Sequence, residues 1–319
     1  MSKSGDGRAL LIATAGGHLT QLSNLVQRLD IDPANAVWVT VPTTQSRSML
    51  AGHDVVWATY SSPRDFRGLG RHLTKALDVL RCQDFDIAVS TGASLAPPFL
   101  AAARLRGVPS HYIESATRVD GPSFSGRLVA RIPGVKLYSQ YESWADGRWA
   151  YGGSIFDGWA TTPRPEPRPL RRALVTVGSA RGFPFDRMLL AARDALPTDC
   201  ETTWQVLDSS VRELPGRVVH EFKSAELRSE LETVDVVISH AGTGSALTAL
   251  QLGLCPVLVP RSQAHGEHVD DHQFQIARML GDRALAVVRA PEELTTADLV
   301  QAAGRIATEV PGPSFRLSA

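Results

Sequence analysis

Short, wholly apolar runs alternate along this chain with longer stretches in which apolar side chains recur every three or four positions. Ala9–Thr14, Ala36–Val41, Asp54–Ala58, Asp86–Ser90, Ser110–Glu114 and Lys136–Ser139 read as strands. Between them, His18–Leu29 and Arg64–Leu80 carry helical periodicity, the second with Leu69, Leu73, Ala76, Leu77 and Leu80 on one face, and an apolar helix runs to Leu105. After a proline-rich break the alternation restarts with strands at Ala173–Val177, Thr202–Leu207, Arg217–Phe222, Val234–Ser239 and Pro256–Pro260, and helices at Asp186–Ala195 and Ala246–Leu252. Strands that alternate with helices predict parallel, doubly wound α/β sheets. The break, Thr161–Pro169, has proline at every second position from Pro163 and reads as a stiff linker over residues 161–172. The expected organisation is a domain over 1–160 and a second over 173–319, with a cleft between them.

Glycines sit where strands hand over to helices. In the second half the strand Val234–Ser239 enters His240-Ala241-Gly242-Thr243-Gly244-Ser245 and then an uncharged helix. Such a turn aims unpaired backbone N–H groups and a positive dipole end at one spot, which suits a phosphate. The next strand leads to a polar segment with Glu267, His268, His272 and Gln273, side chains able to bind hydroxyl groups. A diphosphate seat beside a hydroxyl seat suggests a nucleotide sugar. In the first half, Ala15-Gly16-Gly17-His18 follows the first strand and Thr91-Gly92-Ala93-Ser94 repeats the arrangement. Neither has the G-x-G-x-x-G spacing of a dinucleotide site. Glu114 ends a strand, where open α/β sheets face their ligands, but a surface ion pair with Arg118 is the more ordinary use for it.

The 319 residues are 43% hydrophobic and 21% charged, the balance of a soluble globular protein, with a net charge of zero. That neutrality excludes a nucleic-acid partner as a default. Charge is uneven, however: residues 1–160 hold 16 Lys+Arg against 13 Asp+Glu, and residues 173–319 hold 13 against 19. Basic residues Arg67, Arg71 and Lys75 with Arg64 flank Phe66, Leu69 and Leu73, and Arg127, Arg131 and Lys136 flank Phe124, Leu128 and Ile132. Such segments can lie on an anionic membrane, although a solvated helix face has the same pattern. The uncharged stretch Ala241–Pro260 is long enough to cross a bilayer, but its glycines and polar residues favour a buried helix and strand. Cys82, Cys200 and Cys255 are far apart and suit a reducing, cytoplasmic setting. His265, His268 and His272 lie near carboxylates, but no H-E-x-x-H occurs, and no metal or other cofactor is expected.

Several motifs, in order, resemble a glycosyltransferase arrangement. Ala15–His18, Ser90–Ala93, Tyr112–Ser115 with Arg118, and Pro122–Leu128 resemble the membrane-associated, acceptor-binding subunit of the two-subunit GlcNAc transferase of asparagine-linked glycosylation, and its bacterial exopolysaccharide counterparts. Val175–Gly178, Phe185–Arg187, His240–Ser245, Gly266–His268 and Asp271–Gln273 resemble the catalytic, donor-binding partner. Both halves stand in one chain, in the order of the GlcNAc transferase that makes lipid II, and the resemblance covers most of residues 8–280. It implies a GT-B fold, two Rossmann-like domains facing a cleft, and a metal-independent, inverting transfer from a UDP-sugar to a polyprenyl-diphosphate-linked sugar, in a cytoplasmic enzyme held peripherally at the inner face of the membrane. It further implies donor binding by Gly178, Ser179, His240, Gly242, Thr243, Gly244, Ser245, Thr248, Glu267, His268, His272 and Gln273, and acceptor binding by Gly16, Gly17, Thr91, Gly92 and Arg118. His18 is the first candidate for the base that deprotonates the acceptor hydroxyl, and Glu114 the second. Thr248 stands where the family places a glutamate that grips ribose, so a shorter, neutral hydrogen bond replaces a charged one. A UDP-sugar 2-epimerase shares the two-domain fold, and a non-catalytic nucleotide-sugar-binding protein is a third alternative.

Overall fold

The structure, a computed structural model, describes residues 7–29, 31–61, 65–166, 168–311, 315 and 317, apart from the side chains of Phe66 and Ser224. It forms two compact units, one of residues 1–157 with 313–319 and one of residues 158–312.

The first unit runs β1 (Ala9–Ala13), α1 (Gly17–Val26), β2 (Ala36–Thr40), α2 (Thr44–Met49), β3 (Asp54–Trp57), α3 (Phe66–Cys82), β4 (Ile87–Gly92), α4 (Ala96–Leu105), β5 (Ser110–Ile113), α5 (Phe124–Val129), β6 (Val135–Ser139) and β7 (Trp149–Tyr151). Its strands form one parallel sheet in the order β3-β2-β1-β4-β5-β6-β7. The central strands are buried on both faces, which is why they read as unbroken apolar runs. Leu10, Ile12, Val37, Val39 and Ala88 pack with Phe99 and Leu100 of α4 in the core. Strand order reverses between β1 and β4, and open α/β sheets bind ligands outside the carboxyl ends of the strands at that point. The turns leaving β1 and β4 are Thr14–Gly17 and Gly92–Leu95, so both N-terminal glycine loops meet there.

The second unit runs β8 (Trp159–Pro163), β9 (Arg172–Thr176), α6 (Asp186–Ala195), β10 (Glu201–Gln205), β11 (Arg217–Val219), α7 (Ser224–Leu231), β12 (Val236–His240), α8 (Thr243–Gln251), β13 (Val257–Val259), α9 (His272–Asp282), β14 (Val287–Val288), α10 (Thr296–Ala303) and β15 (Arg305–Glu309). Six strands form a parallel sheet, β11-β10-β9-β12-β13-β14, with the same reversal between its first and fourth strands in chain order, β9 and β12. Alternation divides the core: Ala173, Val175 and Ile238 face Met188, Trp204 and Leu299, while Leu174 and Val237 face Leu231, Ala249 and Leu254.

The proline-rich stretch differs from a free linker. Its start belongs to β8, which pairs antiparallel with β15 in a separate two-stranded sheet. Pro163 is tolerated there because the ribbon leaves its missing donor at an edge. Beyond it, Arg164 Nε donates to the Ala303 carbonyl (3.0 Å) and Arg168 pairs with Asp235 (2.5 Å), so the segment is fastened to the second unit. At the other end, Phe315 lies in the first unit, its ring 6.1 Å from that of Tyr138, so Phe315 parts from the domain expected over 173–319. Among the described residues no helix is long and apolar enough to cross a membrane. Ala241–Pro260 forms α8 and β13, with Ala246, Leu247, Ala249 and Leu250 buried.

Candidate functional site

In the first unit the turn after β1 is built around Gly16, whose φ of +90° a side chain would strain. It opens α1 with Gly17 and His18, and no side chain caps this helix end. The His18 ring reaches the end of β4. A carbonyl oxygen only accepts, so the 2.7 Å contact between His18 Nδ1 and the Thr91 carbonyl puts the ring proton on Nδ1 and leaves Nε2 with its lone pair. Thr91 Oγ1 donates back to the His18 carbonyl (2.8 Å), so one residue fixes both tautomer and helix position. At Gly92 the φ is +116°, and a Cβ would stand 3.1 Å from both His18 Cε1 and the Tyr112 hydroxyl. Burial holds the His18 imidazole below its ordinary 6.5, the Arg118 cation pushes the same way, and the Thr91 hydrogen bond opposes them. His18 is therefore a neutral imidazole at pH 7 with its basic nitrogen free, the state a general base requires.

Glu114, the second candidate base, is 0% exposed and its carboxylate accepts four hydrogen bonds. Oε1 takes the Tyr112 hydroxyl (3.1 Å) and the Ser115 N–H (3.0 Å), while Oε2 takes the Ser123 N–H (2.9 Å) and hydroxyl (3.1 Å). Burial raises its pKa, and the bonds from Ser123 and Ser115 pull it back down. The surface ion pair with Arg118 is thus corrected: Glu114 turns inward and fastens β5 to the start of α5. Ser123 caps that helix through the Gly126 N–H (3.0 Å), and a Cβ on Gly126 would overlap the carboxylate. This explains the small residues in Pro122–Leu128.

The second unit repeats the design at its own strand reversal. Gly178 (φ +78°) follows β9, and Gly242 precedes α8. The half-buried His240 ring stands between these loops, since a Cβ on either glycine would overlap it. Burial pushes the His240 pKa down to about 3, helped by Arg261 and His268, so this imidazole is a neutral wedge. No side chain caps α8 at Gly242, and its first turn has no acidic residue. The buried Thr243 hydroxyl has no partner there. These are the features of an anion seat made of backbone N–H groups.

Around this seat the structure sorts the expected donor-binding residues. Ser179 is exposed, and Gly242, Gly244, Ser245, His268 and His272 are partly so. Three others are committed elsewhere. Glu267 is buried, receives Arg187 on both oxygens (3.1 and 3.3 Å) and accepts the Ser262 N–H (2.9 Å), so it braces a loop and does not offer itself to a hydroxyl. Gln273 is buried and accepts the Arg261 N–H (3.1 Å). Thr248 spends its proton on the Gly244 carbonyl one turn back (2.9 Å), so it can meet ribose only as an acceptor. His268 stacks on Phe183 with centroids 5.6 Å apart, and His272 pairs with Asp270. Ligand atoms of His268, Asp270 and His272 lie within 4.8 Å of one another, the one group among the described residues with the donor types and closeness a metal needs.

Sequence reasoning missed Arg261, which is 0% exposed. Its guanidinium donates to the carbonyls of Phe183 (2.5 Å), Val177 (2.7 Å) and Glu267 (3.0 Å) and lies 4.8 Å over the Phe185 ring. One cation thereby joins the turns after β9, before α6 and before α9. Burial lowers its pKa to about 10, so it stays charged at neutral pH. Arg261→Ala strands three buried carbonyls at about 1–3 kcal/mol each. Unfolding in urea should show the second unit destabilised by at least about 3 kcal/mol, and a loss under about 1 kcal/mol would show that water replaces the guanidinium. Its only mark in the residue pattern is its place directly after the strand-like Pro256–Pro260.

The chain is similar to known glycosyltransferases over most of its length. Residues 173–308 match the glycosyltransferase family 28 C-terminal domain. Over 91% of its length the chain is 26% identical to a UDP-N-acetylglucosamine--N-acetylmuramyl-(pentapeptide) pyrophosphoryl-undecaprenol N-acetylglucosamine transferase of Synechococcus sp. strain CC9311, covering 86% of that protein. A 55-residue stretch, 17% of this chain and 26% of the relative, is 46% identical to UDP-N-acetylglucosamine transferase subunit ALG13 of Yarrowia lipolytica. Among solved structures, MurG of Acinetobacter baumannii superposes with a TM-score of 0.57 at 18% identity, over 92% of this chain and 88% of that one. At that identity the likeness establishes the fold.

Proposed function

The chain being a glycosyltransferase of GT-B fold with a family 28 C-terminal domain, we propose that it moves a hexose or N-acetylhexosamine, GlcNAc foremost, from a UDP-sugar to a polyprenyl-diphosphate-linked sugar, with inversion, in cell-surface polysaccharide or glycan synthesis. The observation that carries this reading is the uncapped α8 at Gly242, inside the matched domain and at the strand reversal. Its backbone N–H groups would hold the diphosphate and stabilise the charge on the departing nucleotide. The same stabilisation makes a metal unnecessary. In the first unit, Nε2 of His18 would take the proton of the acceptor hydroxyl as its oxygen attacks the anomeric carbon, and the bond to the nucleotide diphosphate breaks on the opposite side. Gly16, Gly17, Thr91, Gly92 and Arg118 would bind the acceptor, and Arg118 supplies a cation for its diphosphate. With Glu114 held in four hydrogen bonds, His18 is the sole base in this proposal.

The test is incubation with UDP-GlcNAc and other UDP-sugars, with and without polyprenyl-diphosphate-sugar acceptors, read by mass spectrometry. A glycosylated lipid and free UDP are expected only with acceptor. A new nucleotide sugar formed without acceptor would instead establish an epimerase, and binding without any product a non-catalytic role. A thermal-shift series with UDP-, GDP- and dTDP-sugars tests the nucleotide, on which Thr248 in the ribose position bears directly.

A lipid-linked acceptor requires the first unit to meet a membrane from the cytoplasmic side. Residues 61–136 hold 11 Lys+Arg against 6 Asp+Glu. Arg64 lies outside the described residues, whereas Arg67, Arg71, Arg127 and Arg131 are exposed, as are Leu73, Leu105 and Phe124, the last at 47%. Each basic residue near an anionic surface contributes on the order of 1 kcal/mol, and salt screens it. The protein should float with anionic liposomes at low salt and be released at high salt. Failure to float at low salt would point to a soluble acceptor.

A further inference from the structure

We infer that Gln21 is a positioning residue for His18: it ties the helix that carries His18 to the turn that carries Arg118. The inference rests on the reading of His18 as the base. Gln21 lies three residues after His18 on α1, on the inner face, and is 1% exposed. Each side-chain bond it makes reaches a distant part of the first unit. Nε2 donates to Ser115 Oγ (3.0 Å), and Oε1 accepts the Ala116 N–H (2.8 Å) and the Gln140 Nε2 proton (3.3 Å). Gln140, also buried, donates to the Glu114 carbonyl (2.9 Å) and accepts the Ile155 N–H (3.0 Å). Two amide side chains thus connect α1, the turn after β5, the end of β6 and the segment before Gly158.

The turn being held is Ser115–Arg118, closed by the Arg118 N–H on the Ser115 carbonyl (2.9 Å). Arg118 is the cation whose field reaches His18 and Tyr112, and the Tyr112 hydroxyl lies beside the His18 ring at Gly92 with the Glu114 carboxylate behind it. On β4 the ring meets Thr91 and Gly92, both uncharged. A chain of neutral amides gives this position without adding charge beside the base. The purely structural alternative is a polar staple that stabilises the unit and nothing more. The two differ in one respect: a staple has no influence on the proton affinity of His18, whereas a positioner that keeps Arg118 near and water out lowers it.

Gln21→Leu keeps the side chain's bulk and deletes all three bonds. It should lower kcat about 10- to 100-fold, the scale of a misplaced reacting group, with KM for the UDP-sugar unchanged. As the Arg118 turn relaxes, the His18 ring should titrate at higher pH, so the acidic limb of the kcat/KM profile moves up. Ser115→Ala removes one of the three bonds together with the Ser115 contacts to Thr117 inside the turn (3.0 and 3.3 Å) and should move both readouts in the same direction, which keeps the test available if Gln21→Leu does not fold. Ring titration by heteronuclear NMR of the full chain, with His18→Ala to assign the signal, decides the matter without any assay. If wild-type protein transfers no sugar, the proposed function fails, but the ring titration still judges Gln21. A His18 titration and pH limb identical to wild type in the folded variants would overturn the positioning role.

Discussion

His18→Ala should lose about 10²–10⁴-fold in turnover, the usual contribution of a general base, while its affinity for the UDP-sugar stays at the wild-type value. The split follows from the architecture: His18 belongs to the first unit, and the glycine loops proposed to hold the donor belong to the second. The pH dependence has a definite sign. The base works as neutral imidazole, so kcat/KM should rise with pH through the His18 pKa and then level off. Burial and Arg118 hold that pKa below the ordinary 6.5, so the limb should lie on the acid side of 6.5. His18→Gln is the sharper control, since its amide can still hydrogen-bond but cannot take up a proton. Calorimetric titration with the donor and turnover with a lipid-linked acceptor give both numbers. Turnover within about threefold of wild type in His18→Gln would remove His18 from the base role, and Glu114, its oxygens already saturated, would not inherit it.

Much of this arrangement was legible in the sequence because parallel, doubly covered strands must be apolar throughout. The helical periodicity around Asp186–Ala195 matches α6, and glycine loops mark strand ends because a φ such as +90° at Gly16 or +78° at Gly178 admits little but glycine. What was not legible has two physical causes. Elements whose burial depends on distant partners carry no periodic signal of their own: β8 and β15 exist by pairing with each other across more than 140 residues of sequence, and a proline run hid the first of them. Polar side chains, moreover, do not announce whether they turn outward or inward. Glu114 suited a surface ion pair and is instead sealed; Glu267 suited a sugar hydroxyl and instead clamps Arg187. Gln21 carried the one usable hint. Together with Leu22 and Leu25 it falls on the face of α1 that the pattern marks as buried, and a polar residue there needs partners. The position occupied by Thr248 could be read from the sequence, but its bond to the Gly244 carbonyl could not, because helix back-bonding depends on a rotamer.

The donor loops allow a test that separates steric cause from general damage. Gly242 has an ordinary φ of −92°, so alanine costs its backbone nothing; the obstacle is the His240 ring, which a new Cβ would overlap. Gly242→Ala must therefore swing the loop or expel the imidazole, and either displaces the N–H groups at the start of α8. Hydrogen bonds to charged groups contribute about 1.5–3 kcal/mol each, so losing two weakens diphosphate binding by about 10²–10⁴-fold. Gly178→Ala should bind no better, and there the left-handed φ of +78° adds backbone strain that no second change relieves. In Gly242→Ala/His240→Ala the ring is gone, the added methyl has room, and much of the lost affinity should return. The two sites touch, so the double-mutant cycle should show strong positive coupling. If His240 instead contributes a direct bond to the sugar nucleotide, the double variant will bind no better than Gly242→Ala. Calorimetric affinities of the four proteins for a UDP-sugar, with melting curves to confirm that each is folded, distinguish a histidine that shapes the seat from one that fills it.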